Sequence, residues 1–130
     1  MSRINSLTKS FNYAVDGYKE AFTNEPNFRI HIIVAIFVIL LGILLQISKI
    51  EWIIMFGTIS AVIVLELINT SIEKVVDLAS PKFHPKAKIA KDVSAAAVLT
   101  SAIASVAIGL IIFFPKIWPF FLFFLQIPKY

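Results

Sequence analysis

Glu66-Leu67-Ile68-Asn69-Thr70-Ser71-Ile72-Glu73-Lys74-Val75-Val76-Asp77 continues, without Gly or Pro, an apolar run that begins at Trp52. A helix entering this stretch has no local reason to stop in it. At 100° per residue, Asn69, Glu73 and Asp77 lie about −60°, −20° and +20° from Glu66, so four polar groups share one narrow helical face. With Trp52 at one membrane boundary, Glu66 sits about 21 Å along the axis, a little inside the far end of a hydrocarbon layer about 30 Å thick. A carboxylate there is costly, and such residues usually face a cavity, a partner or a transport pathway.

Outward from this stretch the chain reads as membrane protein. Crossing a bilayer takes roughly 20 predominantly apolar helical residues. Residues 30–47, 52–73 and 93–114 qualify, the last without a single charge. Only 48–51 separate the first two, which predicts an antiparallel helical hairpin. A polar loop, 74–92, precedes the third span, and an aromatic tail, 115–130, interrupted by Pro115, Pro119 and Pro128, follows it. The 130 residues are 58% hydrophobic and 15% charged, with mean hydropathy +0.86, outside the usual soluble range. The absence of cysteine removes disulfides, thiolate metal sites and cysteine nucleophiles. Polar and charged residues recur through 1–29, so no secretory signal is expected and the first span should persist in the mature chain. The net charge of +4 is spread along the chain, which points to anionic lipid headgroups and away from nucleic acid.

Basic residues set the expected orientation. Arg3, Lys9, Lys19 and Arg29 precede the first span, and Lys74, Lys82, Lys86, Lys88 and Lys91 lie between the second and third; Lys49, Lys116 and Lys129 fall on the other side. The amino terminus and the 74–92 loop are therefore expected in the cytoplasm. Within 1–24, Ile4, Leu7, Phe11, Val15, Tyr18 and Phe22 recur every three or four residues, while Lys9, Asn12, Asp16, Lys19 and Glu20 fill the other faces. This predicts an amphipathic helix ending near Asn24, lying on the cytoplasmic leaflet or packed on the protein's own cytoplasmic end. The expected fold class is all-α integral membrane, three transmembrane helices plus the N-terminal amphipathic surface helix, in a single domain.

Carboxylates and an amide in a row at a membrane surface, with lysines nearby, suit phosphoryl transfer. That chemistry needs carboxylates for Mg²⁺, cations near the phosphates and a base to orient the attacking hydroxyl. A lipid hydroxyl can reach the depth of Glu66, whereas ATP approaches from the side of Asp77, His84, Lys91 and Asp92. The four glycines are scattered, so neither a P-loop nor a kinase-type glycine-rich loop is present. A proton- or ion-conducting subunit also uses intramembrane carboxylates. A relay should continue across the outer leaflet, yet 52–65 and the third span carry nothing ionisable there. A non-catalytic assembly factor leaves the cluster of Glu25, Glu73, Asp77, Lys91 and Asp92 without purpose.

The run from Glu66 through Asp77, with Lys91-Asp92 opening the third span and Asn24-Glu25 followed by Phe28-Arg29, closely resembles the prokaryotic diacylglycerol kinase family, which includes the undecaprenol kinases. The resemblance extends from about Tyr13 to Leu110. It implies a bacterial cell-membrane homotrimer whose active sites are shared between neighbouring subunits, with ATP as phosphoryl donor, Mg²⁺ as cofactor and a membrane lipid as acceptor. Carried over by position, it implies Glu66 as general base, Glu25 and Glu73 as ligands of the ions bridging the phosphates, and Asn69 as a residue that helps to hold that site. Asp77, His84, Lys91 and Asp92 are then the nucleotide-binding set, His84 near adenine or else a solvated loop residue. Arg29 reads as a phosphate contact or an interfacial anchor, and His31 as the weakest candidate. The motif Phe28-Arg29-Ile30-His31 and the loop bearing Pro81 and Pro85 resemble the undecaprenol kinases more than the diacylglycerol kinases, and either acceptor remains open at this point. Ala95, Ala96, Ala97, Ser101, Ala102, Ala104, Ser105 and Gly109 suit close helix packing in the third span.

Overall fold

A computed structural model describes residues 3–125 as four helices: α1 (Arg3–Asn24), α2 (Pro26–Leu44), α3 (Lys49–Ala79) and α4 (Pro85–Leu125). The last part of the expected tail, 126–130, with Pro128 and Lys129, lies outside the described residues. α2, α3 and α4 as far as Pro119 are each long and apolar enough to cross a membrane, so the chain is a multi-pass membrane protein.

Local chemistry explains each boundary. Glu25, extended at φ −108°, ψ 106°, separates α1 from α2, and Pro26 occupies the first turn of α2, where its missing N–H costs nothing. α2 ends with Ile47 N–H donating to the Gly42 carbonyl and Gln46 N–H to that of Ile43, both at 3.2 Å. This is the Schellman pattern, and Gln46 takes its left-handed position at φ 48°. Ser48 then caps α3 reciprocally: its Oγ accepts from Glu51 N–H at 3.3 Å and its own N–H donates to Glu51 Oε2 at 2.6 Å. α3 stops just before Ser80-Pro81, and α4 opens on Pro85 with His84 Nδ1 accepting from the Lys86 N–H at 3.2 Å.

Three expectations need correction. α2 and α3 each start before the predicted span, and α3 runs on to Ala79, so the polar loop 74–92 contracts to 80–84. Polarity marks the membrane boundary there, not the end of the helix; Lys, Glu and Asp leave helical geometry intact. The segment from 115 is also no broken tail, because α4 passes through Pro115 and Pro119 to Leu125. Each proline removes one backbone bond, a loss that membrane helices accommodate through local adjustment.

The main apolar cluster lies at the hairpin end, with Ala21 and Phe28 buried separately at the other. Ile47, Met55, Ile112 and Phe113 are buried together with Trp52 and Leu41 against them. A Cβ on Gly42 would fall 3.0 Å from Ile47 Cδ1 and 3.2 Å from the Trp52 ring, so the absence of a side chain there permits α2 and the start of α3 to close. Lys116 Nζ reaches Glu51 Oε1 at 3.2 Å, tying α4 to the first turn of α3. At the opposite end α3 and α4 are joined by polar groups. The chain exposes 10114 Å², against about 6,900 Å² for a soluble monomer of this mass by the usual scaling. Much of the excess is apolar, with Ile33, Phe37 and Leu40 of α2 and Leu99, Ile103 and Leu110 of α4 exposed.

Candidate active site

The polar face predicted for 66–77 runs along α3 from the interior to the open end. Glu66 is 2% exposed, and Asn69 and Thr70 are 7% each. One turn further on the face is half-buried at Glu73, and after another turn it is exposed at Asp77. Glu25 and Glu73 both lie near enough to act electrostatically on Glu66. Burying a carboxylate so completely beside two others is unfavourable and is retained where a reaction or a ligand uses the charge.

Asn69 is the centre of a hydrogen-bonded chain between helices. Its Nδ2 donates to Glu73 Oε1 at 3.0 Å, one turn along α3, and its Oδ1 accepts from Ser94 Oγ of α4 at 2.6 Å. Ser94 Oγ also lies 2.9 Å from the Lys91 carbonyl. Two turns beyond Asn69, Lys91 Nζ contacts both oxygens of Asp77 at 2.9 and 3.0 Å. Lys88 pairs with Asp92 on the next turn of α4.

A cavity of about 610 Å³ opens between the ends of α3 and α4 and over the 80–84 loop. Glu73, Asp77, His84, Lys91 and Asp92 line it, together with Lys88 and Phe83. Five of the eight predicted site residues thus meet around one space large enough for a nucleotide. Asn69 stands behind it, holding Glu73. Glu66 and Glu25 do not line it: Glu66 is deeper along α3, and Glu25 sits at the α1–α2 junction without a capping hydrogen bond. Among the described residues no three carboxylate or imidazole groups converge within one chain to hold a metal ion. Mg²⁺ does not require such a cage; it is commonly held by one or two carboxylates, the rest of its shell coming from phosphates and water. Glu25 and Glu73 have the right donor chemistry for that arrangement.

Several roles were not legible in advance. Arg29 Nη1 donates to the Thr23 and Phe22 carbonyls at 2.9 and 3.2 Å, and so caps the end of α1. Lys74 Nζ reaches Glu20 Oε1 at 2.9 Å and ties α1 to α3. Ser94 escaped notice among its small neighbours, although it shares a helical face with Lys91 and is the sole polar residue between Asp92 and Thr100. His31 is half-buried on α2 and does not line the cavity.

A family profile described as prokaryotic diacylglycerol kinase matches residues 12–113. An undecaprenol kinase of Bacillus subtilis (strain 168) is 45% identical over 116 residues, 89% of this chain and 94% of that protein. A diacylglycerol kinase of Helicobacter pylori (strain ATCC 700392 / 26695) is 42% identical over 112 residues, 86% and 80% of the two chains. A diacylglycerol kinase of Escherichia coli (strain K12) is 28% identical over 100 residues, 77% and 82%. The profile match takes in α2, α3 and α4 through the buried Phe113, and it stops short of the aromatic extension.

Proposed function

Because the chain belongs to the prokaryotic diacylglycerol kinase family, and is an ATP-dependent lipid kinase on that ground, we propose that it phosphorylates undecaprenol at the cytoplasmic face of the bacterial cell membrane. The observation that carries the site reading is the division of α3: a buried carboxylate at Glu66 and, about two turns further along at 1.5 Å per residue, a nucleotide-sized cavity starting at Glu73. A lipid hydroxyl arriving through the bilayer meets the first, and ATP arriving from water meets the second. The likeness to the Bacillus undecaprenol kinase over nearly its whole length supports the acceptor.

Glu66 acts as general base. It accepts the hydroxyl proton as the lipid oxygen bonds to the γ-phosphorus and the bond to the β,γ-bridging oxygen breaks, releasing ADP. Glu25 and Glu73 would hold Mg²⁺, which would supply charge neutralisation at the phosphates. Lys91 places an ammonium beside the same phosphates, and Asp77, Asp92 and His84 complete the nucleotide site. His84 Nδ1 is committed to the Lys86 N–H, which leaves Nε2 for the ligand.

The active form is a homotrimer with composite sites. The exposed apolar faces support this, since one chain presents the Glu66 face only once. α1 lies on the cytoplasmic leaflet, where exposed Leu7, Phe11 and Phe22 meet lipid. The nine basic residues expected on that side support the orientation.

Purified protein given labelled ATP, Mg²⁺ and vesicles holding undecaprenol and diacylglycerol together tests the acceptor. Label entering undecaprenol first is expected; preferential labelling of diacylglycerol would make this chain a diacylglycerol kinase, as the name of the Helicobacter relative has it. Mixing inactive Glu66→Gln and Asp92→Asn subunits tests the sharing. Activity above the sum of the parents is expected, whereas strict additivity with tagged mixed oligomers present would assign both residues to one chain.

A further inference from the structure

We infer that Ser94 is a positioning residue for the nucleotide site, acting through Asn69 to aim Glu73. The inference rests on the reading of Glu73 as a ligand of the phosphate-bridging cation, and it goes further by assigning to α4 the orientation of that ligand.

The argument begins with the amide. Asn69 can present either its oxygen or its NH₂ to Glu73, and only the NH₂ is compatible with an ionised carboxylate. That choice puts Oδ1 on the opposite side, 2.6 Å from Ser94 Oγ. An oxygen there needs a donor, and the Ser94 hydroxyl supplies it. Ser94 and Asn69 are 9% and 7% exposed, so water does not substitute readily for either partner. Were Ser94 to turn its proton to the Lys91 carbonyl instead, 2.9 Å away, Oδ1 would face a lone pair across a short contact. The amide would then be driven to flip and to present oxygen to Glu73. The hydroxyl therefore holds the amide, and the amide holds Oε1 of Glu73 at 3.0 Å. Among the described residues the second oxygen of Glu73 takes no hydrogen bond, and Glu73 itself borders the cavity.

The same serine is bracketed by the phosphate-side lysine. Lys91 precedes it by one turn on the same face of α4, and Lys91 in turn grips Asp77 of α3. Ser94–Asn69 and Lys91–Asp77 are thus two crosslinks that straddle Glu73. They fix the helix register in which the anionic and cationic sides of the site oppose one another. Groups that orient metal ligands from behind typically change metal affinity about 10- to 100-fold when removed.

The test is steady-state kinetics of Ser94→Ala, Ser94→Thr, Asn69→Ala and the Ser94→Ala/Asn69→Ala double variant, alongside Glu73→Gln, with oligomer formation followed by crosslinking. Ser94→Ala is expected to raise the KM for Mg·ATP about 10-fold, to be partly rescued by excess Mg²⁺, and to leave the KM for the lipid acceptor unchanged. Ser94→Thr, which keeps the hydroxyl, is expected to behave like the parent. In the Asn69→Ala background the serine substitution is expected to add nothing. Two results overturn the inference with the site reading intact: a parental Mg·ATP KM in Ser94→Ala while Glu73→Gln is impaired, or an undiminished Ser94→Ala effect without Asn69. If Glu73→Gln itself uses Mg·ATP normally, the cation role of Glu73 fails and the inference falls with it.

Discussion

Lys91 Nζ lies 2.9 and 3.0 Å from the two carboxylate oxygens of Asp77, a forked ion pair joining α4 to the end of α3 beside the cavity. Asp77 is about two-thirds exposed and Lys91 about one-third. Exposed pairs contribute about 0–1 kcal/mol to stability. Asp77→Asn is therefore expected to leave the unfolding temperature in detergent nearly unchanged while raising the KM for ATP. Lys91→Ala should do the same and, if its ammonium serves the transferring phosphoryl group as proposed, also lower kcat. Thermal unfolding and ATP titration of both variants check this; a large loss of stability in either would make the pair structural.

Glu66→Gln keeps shape but cannot take the acceptor's proton. Turnover is expected to fall about 10²- to 10⁴-fold, the usual range for a general base. Stability should not fall, since a buried amide is less costly than a buried carboxylate. Nucleotide binding and assembly of the proposed trimer should persist. Near-parental turnover would leave Glu66 with a structural role only.

Gln46 adopts φ 48° at the end of α2, a conformation that costs a side-chain-bearing residue about 1–2 kcal/mol. Gln46→Gly relieves that cost, partly offset by the greater freedom of glycine in the unfolded chain. A stabilisation of up to about 1 kcal/mol is expected, with activity unchanged because the turn is at the end opposite the cavity. Equal or lower stability in chemical denaturation would mean that the Gln46 side chain contributes more than its backbone costs.

Glu20 and Lys74 join α1 to α3, and the link depends on pH. A hydrogen bond from Lys74 and another from Asn24 hold the Glu20 carboxyl below its usual value near 4.5. A lowered carboxylate value means that the contribution is complete above the usual value and is lost as pH falls through the lowered one. Spin-label distances between α1 and α3 should therefore broaden modestly on acidification below this range, as suits a pair this exposed, and Glu20→Gln should broaden them to the same extent already at neutral pH. A distance insensitive to both would show that apolar contacts and the Arg29 cap suffice to dock α1.

The three spans were legible because hydropathy alone sets them. The common face of Glu66, Asn69, Glu73 and Asp77 was legible because helical spacing is fixed. Helix ends were less so: Lys86 and Lys88 look like loop residues only if polarity is taken for irregularity, and Pro115 and Pro119 look like breaks only if each lost backbone bond must end a helix. Pairings between helices were not legible at all. Ser94 and Asn69 are 25 positions apart, and nothing in either neighbourhood names the other. The cap that Arg29 Nη1 supplies to the Phe22 and Thr23 carbonyls was not legible either, because carbonyls in need of a donor are an ordinary feature of every helix end.

The segregation of the core has a mechanical consequence. α3 and α4 are gripped by Met55, Ile112 and Phe113 at one extremity, bury Val62 and Val98 along their length, and at the other extremity are joined, among the described residues, by the exposed Lys91–Asp77 ion pair and the buried Ser94–Asn69 hydrogen bond. They resemble tongs whose pivot lies about 33 Å from Asp77, counting 1.5 Å per residue from Met55. With that lever arm, parting the tips by about 3 Å takes a rotation of only about 5°. The pivot's packing need not be disturbed to exchange ADP for ATP. Distances measured by pulsed spin resonance across the two tips should accordingly broaden without nucleotide and sharpen with it, while those across the pivot stay fixed.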